Sequence, residues 1–389
     1  MNNKRLYPLL AILLSSVLLV VLFSGCIEED ENSRMRKESI VETCIDKPSV
    51  LPDWNDGGYH NYEETIDMVN YFNDNYPNLV DISVIGKSVL DKDIWCICIT
   101  NESSVKSKFS CLIDGCIHGC EWEAGEACLY LAEYLLINYD LNSTITNLLD
   151  GNKIYIVPLL NPDARNADDR FNDNGIDLNR NFDVDFGRIR GSSIPLGKLF
   201  GRVKISYMFF PRLHKWLPGF PSFLTNCGRR AFSEPETRAL RDFMREVDNH
   251  GFSFYVNCHT AMHLFSIPWS CFKTPFEMSE QEKKVYNCVK ERVSKNSEYE
   301  DKPISYYASG TATDWFFKEF RVPSFTFEIL STDYEPGAGG GKHDNLVHWM
   351  KTTLPVFMYL LVNIENLHNW EIPDIQPALP EGAPPEPLG

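Results

Sequence analysis

The feature that most constrains this chain is an alternation. Strand-like runs rich in Val, Ile and aromatic residues stand at 80–85, 94–100, 111–117 and 154–160, and a helical segment at about 123–139 separates the last two. Further runs at 252–258 and 322–329, with helices at about 234–250, 280–295 and 343–361, extend the pattern. Strands alternating with helices make an α/β sheet covered on both faces. Order begins at Tyr59, where Asn61 can cap a helix running to about Asn75. Glu64 stands at the capping-box position, and Ile66, Val69 and Phe72 fall on one face. With 389 residues and 43% hydrophobic content the core can be substantial. No internal repeat is visible.

The ends and one central stretch depart from this pattern. Residues 1–26 carry Lys4 and Arg5, then an apolar run from Leu6 to Phe23, then Ser24-Gly25-Cys26, which reads as an export signal. It is similar to a lipoprotein signal whose cysteine becomes the lipidated N-terminus. An uncleaved transmembrane anchor is the rival, since the run is about long enough to span. Both place the body outside the cytoplasm, held on the outer face of the cytoplasmic membrane. Residues 27–58 read as a polar tether, 59–366 as the folded domain, and the proline-rich end, 367–389, as an extended tail. The formal net charge of -17 argues against nucleic acid as a partner. The stretch 183–232 runs against that charge, with nine Lys and Arg against two acids and Tyr207, Phe209, Phe210, Trp216, Phe220 and Phe223 interleaved. It suits an anionic membrane surface, or a long loop packing on its own domain. Twelve cysteines show no zinc-ribbon spacing; most read as core thiols, with one or two disulfides open.

The chemistry centres on His118-Gly119-Cys120-Glu121. The spacing H-x-x-E occurs three times, at His60/Glu63, His118/Glu121 and His368/Glu371, so context must choose. His60 and Glu63 belong to a helix start, and the last pair borders the tail. His118 and Glu121 instead follow an apolar strand, where ligands gather in open α/β sheets. Imidazole and carboxylate suit zinc, which at catalytic sites takes three protein ligands. His259, after the run 252–258, is a candidate third ligand, with His263 as its rival. Asn and Arg cluster at 161–182, a composition suited to gripping a carboxylate and equally to a solvated turn. Glu328 ends an apolar strand, where a carboxylate is costly unless paired or functional.

Together these residues resemble the zinc metallocarboxypeptidase family over roughly 59–363. The motifs fall in family order: Tyr59-His60-Asn61-Tyr62 and Ile85-Gly86-Lys87-Ser88; His118-x-x-Glu121-Trp122; Asp177-x-Asn179-Arg180-Asn181-Phe182; Phe232-Ser233-Glu234-Pro235-Glu236-Thr237; His259; and Phe325-Thr326-Phe327-Glu328. The resemblance implies a three-layer α/β/α domain on a mixed sheet of about eight strands and one zinc per chain, held by His118, Glu121 and His259. It implies hydrolysis of the C-terminal peptide bond of peptides or proteins through a zinc-bound water, with Glu328 as base and Arg170 polarising the scissile carbonyl. Asn179 and Arg180 correspond to the grip on the terminal carboxylate, Tyr306 to a mobile phenol closing over substrate, and Asp177 to the acceptor orienting His118. The resemblance sets Thr313 at the floor of the pocket for the terminal side chain, which with Ser266, Ser270 and Thr326 reads as neutral and polar, and Asp301 near its wall. Two rivals remain: a related zinc amidohydrolase acting on cell-wall peptides or N-acyl amino acids, and a non-catalytic surface binding protein.

Overall fold

The computed structural model describes residues 59–104, 106, 108–187, 227–247, 251–260, 264–270, 277–296, 308–329 and 343–373. All belong to the larger of the two compact units into which the chain divides, Val41–Gly389. The export-type segment, the tether, residues 188–226 of the basic stretch and the tail beyond 373 lie outside them.

Helix α1 (Tyr62–Asn75) starts where its capping chemistry dictates. Asn61 Oδ1 accepts from the Glu64 N–H at 3.0 Å, and Glu64 Oε2 accepts from the Asn61 N–H at 2.7 Å, satisfying two otherwise orphaned donors. Strands β1 (Val80–Lys87), β2 (Asp93–Ile99) and β3 (Phe109–Asp114) follow, then α2 (Trp122–Asn138), α3 (Ser143–Gly151), β4 (Asn152–Val157) and α4 (Pro162–Ala167). After a short 3-10 turn at Leu178–Arg180 come α5 (Pro235–Val247), β5 (Phe252–Thr260), β6 (Leu264–Ser266), α6 (Glu280–Asn296), α7 (Ala312–Phe320), β7 (Ser324–Ile329), α8 (His343–Val362) and α9 (Ile364–His368).

Among the described residues the sheet has seven strands, in the order β1-β2-β4-β3-β5-β7-β6. The four central strands run parallel and both edges are antiparallel, so the expected mixed sheet is present. Alternate residues feed two separate cores. Cys111, Ile113, Phe254, Val256, Phe325 and Phe327 face one side, where α1, α2 and α8 contribute. Leu112 and Tyr255 face the other, with Leu240, Trp315 and Phe316. Helix α2 lies between the sheet and α8. That double burial explains why its sequence lacks a polar face.

Strand β3 has β4 on one side and β5 on the other. Its chain neighbours therefore diverge, which opens a crevice at the carboxyl ends of β3 and β5. Asp114, Asn257, His259, Thr326 and Glu328 alternate with the residues of the first core and so line the opposite face at this end.

The nine cysteines among the described residues are all thiols, and none of them forms a disulfide. The spacings set aside as structural are so: His60 pairs with Glu126 on α2, and His368 Nδ1 meets the Phe252 carbonyl at 3.2 Å.

Candidate active site

The loop 115–121 between β3 and α2 carries two of the expected ligands. It is pinned along its length: the Gly115 N–H donates to Val157 O at 2.9 Å, the Asn161 N–H to Cys116 O at 3.0 Å and the Cys120 N–H to Asp169 O at 3.0 Å. Glycine is required at 119, since a Cβ there would stand 2.3 Å from the Ala164 carbonyl carbon of α4. The loop thereby sets His118 and Glu121 against β5. His259 lies inside that strand, not after it, because β5 continues to Thr260 to pair with Glu328 and Ile329 of β7.

The three side chains converge. His118 Nδ1 stands 2.7 Å from Glu121 Oε1, and His259 Nδ1 stands 2.7 Å from Glu121 Oε2. One ligand atom from each lies within 4.8 Å of the others, and all three residues are buried. Both rings turn Nε2 outward onto oxygen: His118 Nε2 to Asp177 Oδ1 at 3.0 Å, His259 Nε2 to Asn257 Oδ1 at 2.5 Å. Two inward Nδ1 atoms and one carboxylate, each ring held from behind by an acceptor, form a donor set that fits zinc.

Charge around the cluster is strongly coupled. Burial works to raise the Glu121 carboxyl, but His118 and His259 outweigh it and hold it well below the usual range. Burial likewise opposes ionisation of Asp177, and Arg170, His118 and Arg180 overcome it. Arg170 Nε donates to Asp177 Oδ2 at 3.1 Å and Nη1 to Glu121 Oε1 at 3.3 Å, leaving its side chain 24% exposed at the site. Glu328, paired in register with His259, goes the other way: burial raises its pKa, and nearby Glu121 adds to the effect.

The carboxylate-gripping candidates are stapled to α7. Asn179 Oδ1 accepts from the Ala312 N–H at 2.8 Å, turning Nδ2 to within 3.0 Å of His259 Nε2. The Phe182 N–H donates to Gly310 O and the Gly310 N–H to Val184 O. Gly310, at φ +70°, lies so close to the Arg180 backbone that a Cβ would fall 2.3 Å from the Arg180 carbonyl oxygen. Phe182, Phe232 and Trp315 close the arrangement with ring centroids 5.2–5.7 Å apart. Asn181 ties it to the start of α5 by accepting from Thr237 Oγ1 at 2.7 Å.

Of the pocket candidates, Thr313 and Thr326 share a hydroxyl–hydroxyl bond of 2.7 Å, and Ser266 pairs with Thr326 in register. The Ser270 N–H donates to Asp314, the next residue on α7. The four are buried, and Thr326 stands two residues before Glu328 on β7. Tyr306, His263 and Asp301 lie outside the described residues.

The zinc carboxypeptidase family model matches residues 65–338. The chain belongs to the zinc carboxypeptidase family. Its activity is that of a metal-dependent exopeptidase, and its cofactor is zinc. Carboxypeptidase O of Bos taurus is 25% identical over 332 residues, covering 80% of this chain and 81% of that protein. Carboxypeptidase A6 of Homo sapiens is 24% identical over 325 residues, 79% of this chain and 68% of that one. In fold the chain resembles thrombin activatable fibrinolysis inhibitor, with a TM-score of 0.63 at 20% identity over 87% of this chain and 81% of that one. It also resembles carboxypeptidase A from Helicoverpa armigera, with a TM-score of 0.60 at 19% identity over 84% and 79%.

Sequence reasoning missed Asn257 and Asp114 behind His259, and Arg165 behind the ligand loop. Asp114 carried a usable signal, a carboxylate inside an apolar run, the cost that drew attention to Glu328.

Proposed function

We propose that the chain removes single residues from peptide or protein C-termini, with His118, Glu121 and His259 holding the zinc and Glu328 transferring the proton. One observation carries this reading. Glu328 pairs with His259 on adjacent parallel strands, which sets a buried carboxylate beside the ligand cluster, and among the described residues it makes no hydrogen bond. Its raised pKa is the direction a base working near neutrality needs. When bound, zinc supplies a Lewis acid that polarises the scissile carbonyl and makes water a better proton donor. Glu328 takes the proton from the attacking water and delivers it to the leaving amine. Arg170, anchored by Asp177 and partly exposed, places its guanidinium where the carbonyl oxygen gains charge. Arg180 and the Asn179 Nδ2 grip the terminal carboxylate, so a substrate lacking a free C-terminus is not held. Thr313, Ser266 and Ser270 receive the terminal side chain, and Tyr306 closes over it.

The test is Glu328→Gln with full zinc occupancy, assayed by residues released from a C-terminally varied peptide library beside wall peptides and N-acyl amino acids. Turnover is expected to fall about 10²- to 10⁴-fold, with zinc content unchanged. A variant with normal turnover, or preferential cleavage of C-terminally blocked substrates, overturns the reading.

We further propose that the protein is exported and held at the outer face of the cytoplasmic membrane through residues 1–26, with 59–366 as the catalytic domain. The charged start, apolar run and Ser24-Gly25-Cys26 support this. Cys26→Ala should abolish lipid labelling; an unlabelled wild type that still pellets with membranes would instead favour the uncleaved anchor. Liposome binding after removal of the N-terminus tests the basic aromatic stretch 183–232.

A further inference from the structure

His118 and His259 reach the ligand cluster through different supports. Behind His118 stands a carboxylate, Asp177, which can only accept, so Nε2 must carry the hydrogen and Nδ1 the lone pair. Behind His259 stands Asn257, whose amide offers an oxygen at one end and two donors at the other. The tautomer of His259 depends on which end faces it.

A second donor makes the choice consequential. Asn179 Nδ2, held in place through the Ala312 N–H, lies 3.0 Å from the same Nε2 and favours the opposite tautomer. Asp114 decides the matter. It pairs with Asn257 across β3 and β5, and one of its oxygens accepts from Asn257 Nδ2. Its other oxygen accepts from Tyr255 Oη at 2.7 Å. Tyr255 is itself immobilised by stacking on Phe316, with centroids 3.6 Å apart. Asp114, Asn257 and Tyr255 have no exposed surface, so a polar atom left unpaired among them is costly. With its NH₂ committed to Asp114, Asn257 must present Oδ1 to the ring.

We propose that Asn257, oriented by Asp114, is a positioning residue that fixes the tautomer of His259 and so presents its Nδ1 to the metal. The proposal rests on the reading of His259 as a zinc ligand. It also assigns the Asn179 amide: a donor gains nothing from the N–H of the ring, so Nδ2 is left for the carboxylate of the substrate.

Apo-protein is titrated with zinc alone, in competition with a chelating dye, for the wild type, Asn257→Leu, Asn257→Asp, the swap Asp114→Asn/Asn257→Asp, and His259→Ala. Asn257→Leu should weaken zinc binding about 10- to 100-fold, as loss of a ligand's supporting partner does. Asn257→Asp alone sets two carboxylates face to face and should also bind weakly. The swap should restore wild-type affinity, because the new carboxylate accepts from Nε2 while the new amide donates to it and accepts from Tyr255. Wild-type affinity in Asn257→Leu overturns the proposal, as does a folded swap variant that stays weak. If Asn257→Leu does not fold, the swap decides alone. His259→Ala separates the two failures: if it binds zinc normally the ligand assignment has failed, and if it alone loses zinc only the positioning role has.

Discussion

Removing the guanidinium of Arg165 should destabilise this domain more than almost any other single change outside the sheet. Arg165 lies under the ligand loop with its side chain 2% exposed and that of its partner Glu126 fully buried. Nη2 donates to Glu126 Oε1 at 2.8 Å, Nε and Nη2 to His60 O at 2.9 and 2.7 Å, and Nη1 to Cys116 Sγ at 3.3 Å. The plane stacks over Trp122 with the guanidinium carbon 4.1 Å from the ring centroid. Arg165→Met keeps the volume but leaves the Glu126 carboxylate without its cation and the His60 carbonyl without its donors. Breaking a buried pair from one side costs about 3–5 kcal/mol. At about 2 °C per kcal/mol for a domain of this size, the midpoint of apo-protein unfolding should drop by roughly 6–10 °C. Arg165→Lys, with the charge but not the fork, should fall between. The double variant Arg165→Met/Glu126→Gln should regain much of the loss, because it removes the abandoned charge and keeps an acceptor for the His60 N–H. Thermal unfolding by calorimetry reads all three. A single variant within about 1 °C of wild type, or a double variant no better than the single, refutes the reasoning.

Two further perturbations test other joints. Burial pushes the Glu236 carboxyl up to about 7, against hydrogen bonds from Asn172 and the Val89 N–H. The folded state therefore prefers the protonated acid, and its contribution is complete below the ordinary value of 4.5 and lost as pH rises through about 7. Glu236→Gln should match wild type near pH 4.5 and exceed it at pH 8 by on the order of 3 kcal/mol in urea unfolding; a gap that does not change with pH counts against this. Gly119→Ala drives a Cβ into the Ala164 backbone and must shift either α4 or the His118 loop. Turnover should fall about 100-fold, as for a misplacement of about 1 Å, and peptide hydrolysis at the wild-type rate would show that the contact yields freely.

Residues that announce themselves locally were legible in the chain. The capping box at Asn61 and Glu64 depends on spacing alone, and helix α1 starts where that spacing puts it. Strands β1 to β5 are rich in β-formers and lie within a few residues of expectation. Helix α7 escaped because its sequence, ATDWFFKEF, is crowded with aromatics. It holds as a helix through the Thr311 cap and through Trp315, Phe316 and Phe317 packing on both cores. Helix α3 is nine residues long, too short for periodicity to show.

What stayed hidden is set by pairing across long separations. The spacing H-x-x-E gives three equal candidates, and the true partner of His60 is Glu126, 66 residues away. The same holds at the centre: Asp114 meets Asn257 only because β3 and β5 are neighbours, a fact of strand order that no local pattern contains. Chemistry-bearing residues could be found one at a time, since a carboxylate or imidazole at the end of an apolar strand is costly without a purpose. Their supports could not, because an asparagine in a strand is unremarkable until its neighbour is known. The site is thus legible in its ligands and illegible in what aims them, and the aiming is where sheet topology enters the chemistry. A crevice between β3 and β5 brings a loop from one strand and a histidine from the next to a common point, and the same adjacency provides the acceptor that turns that histidine the right way.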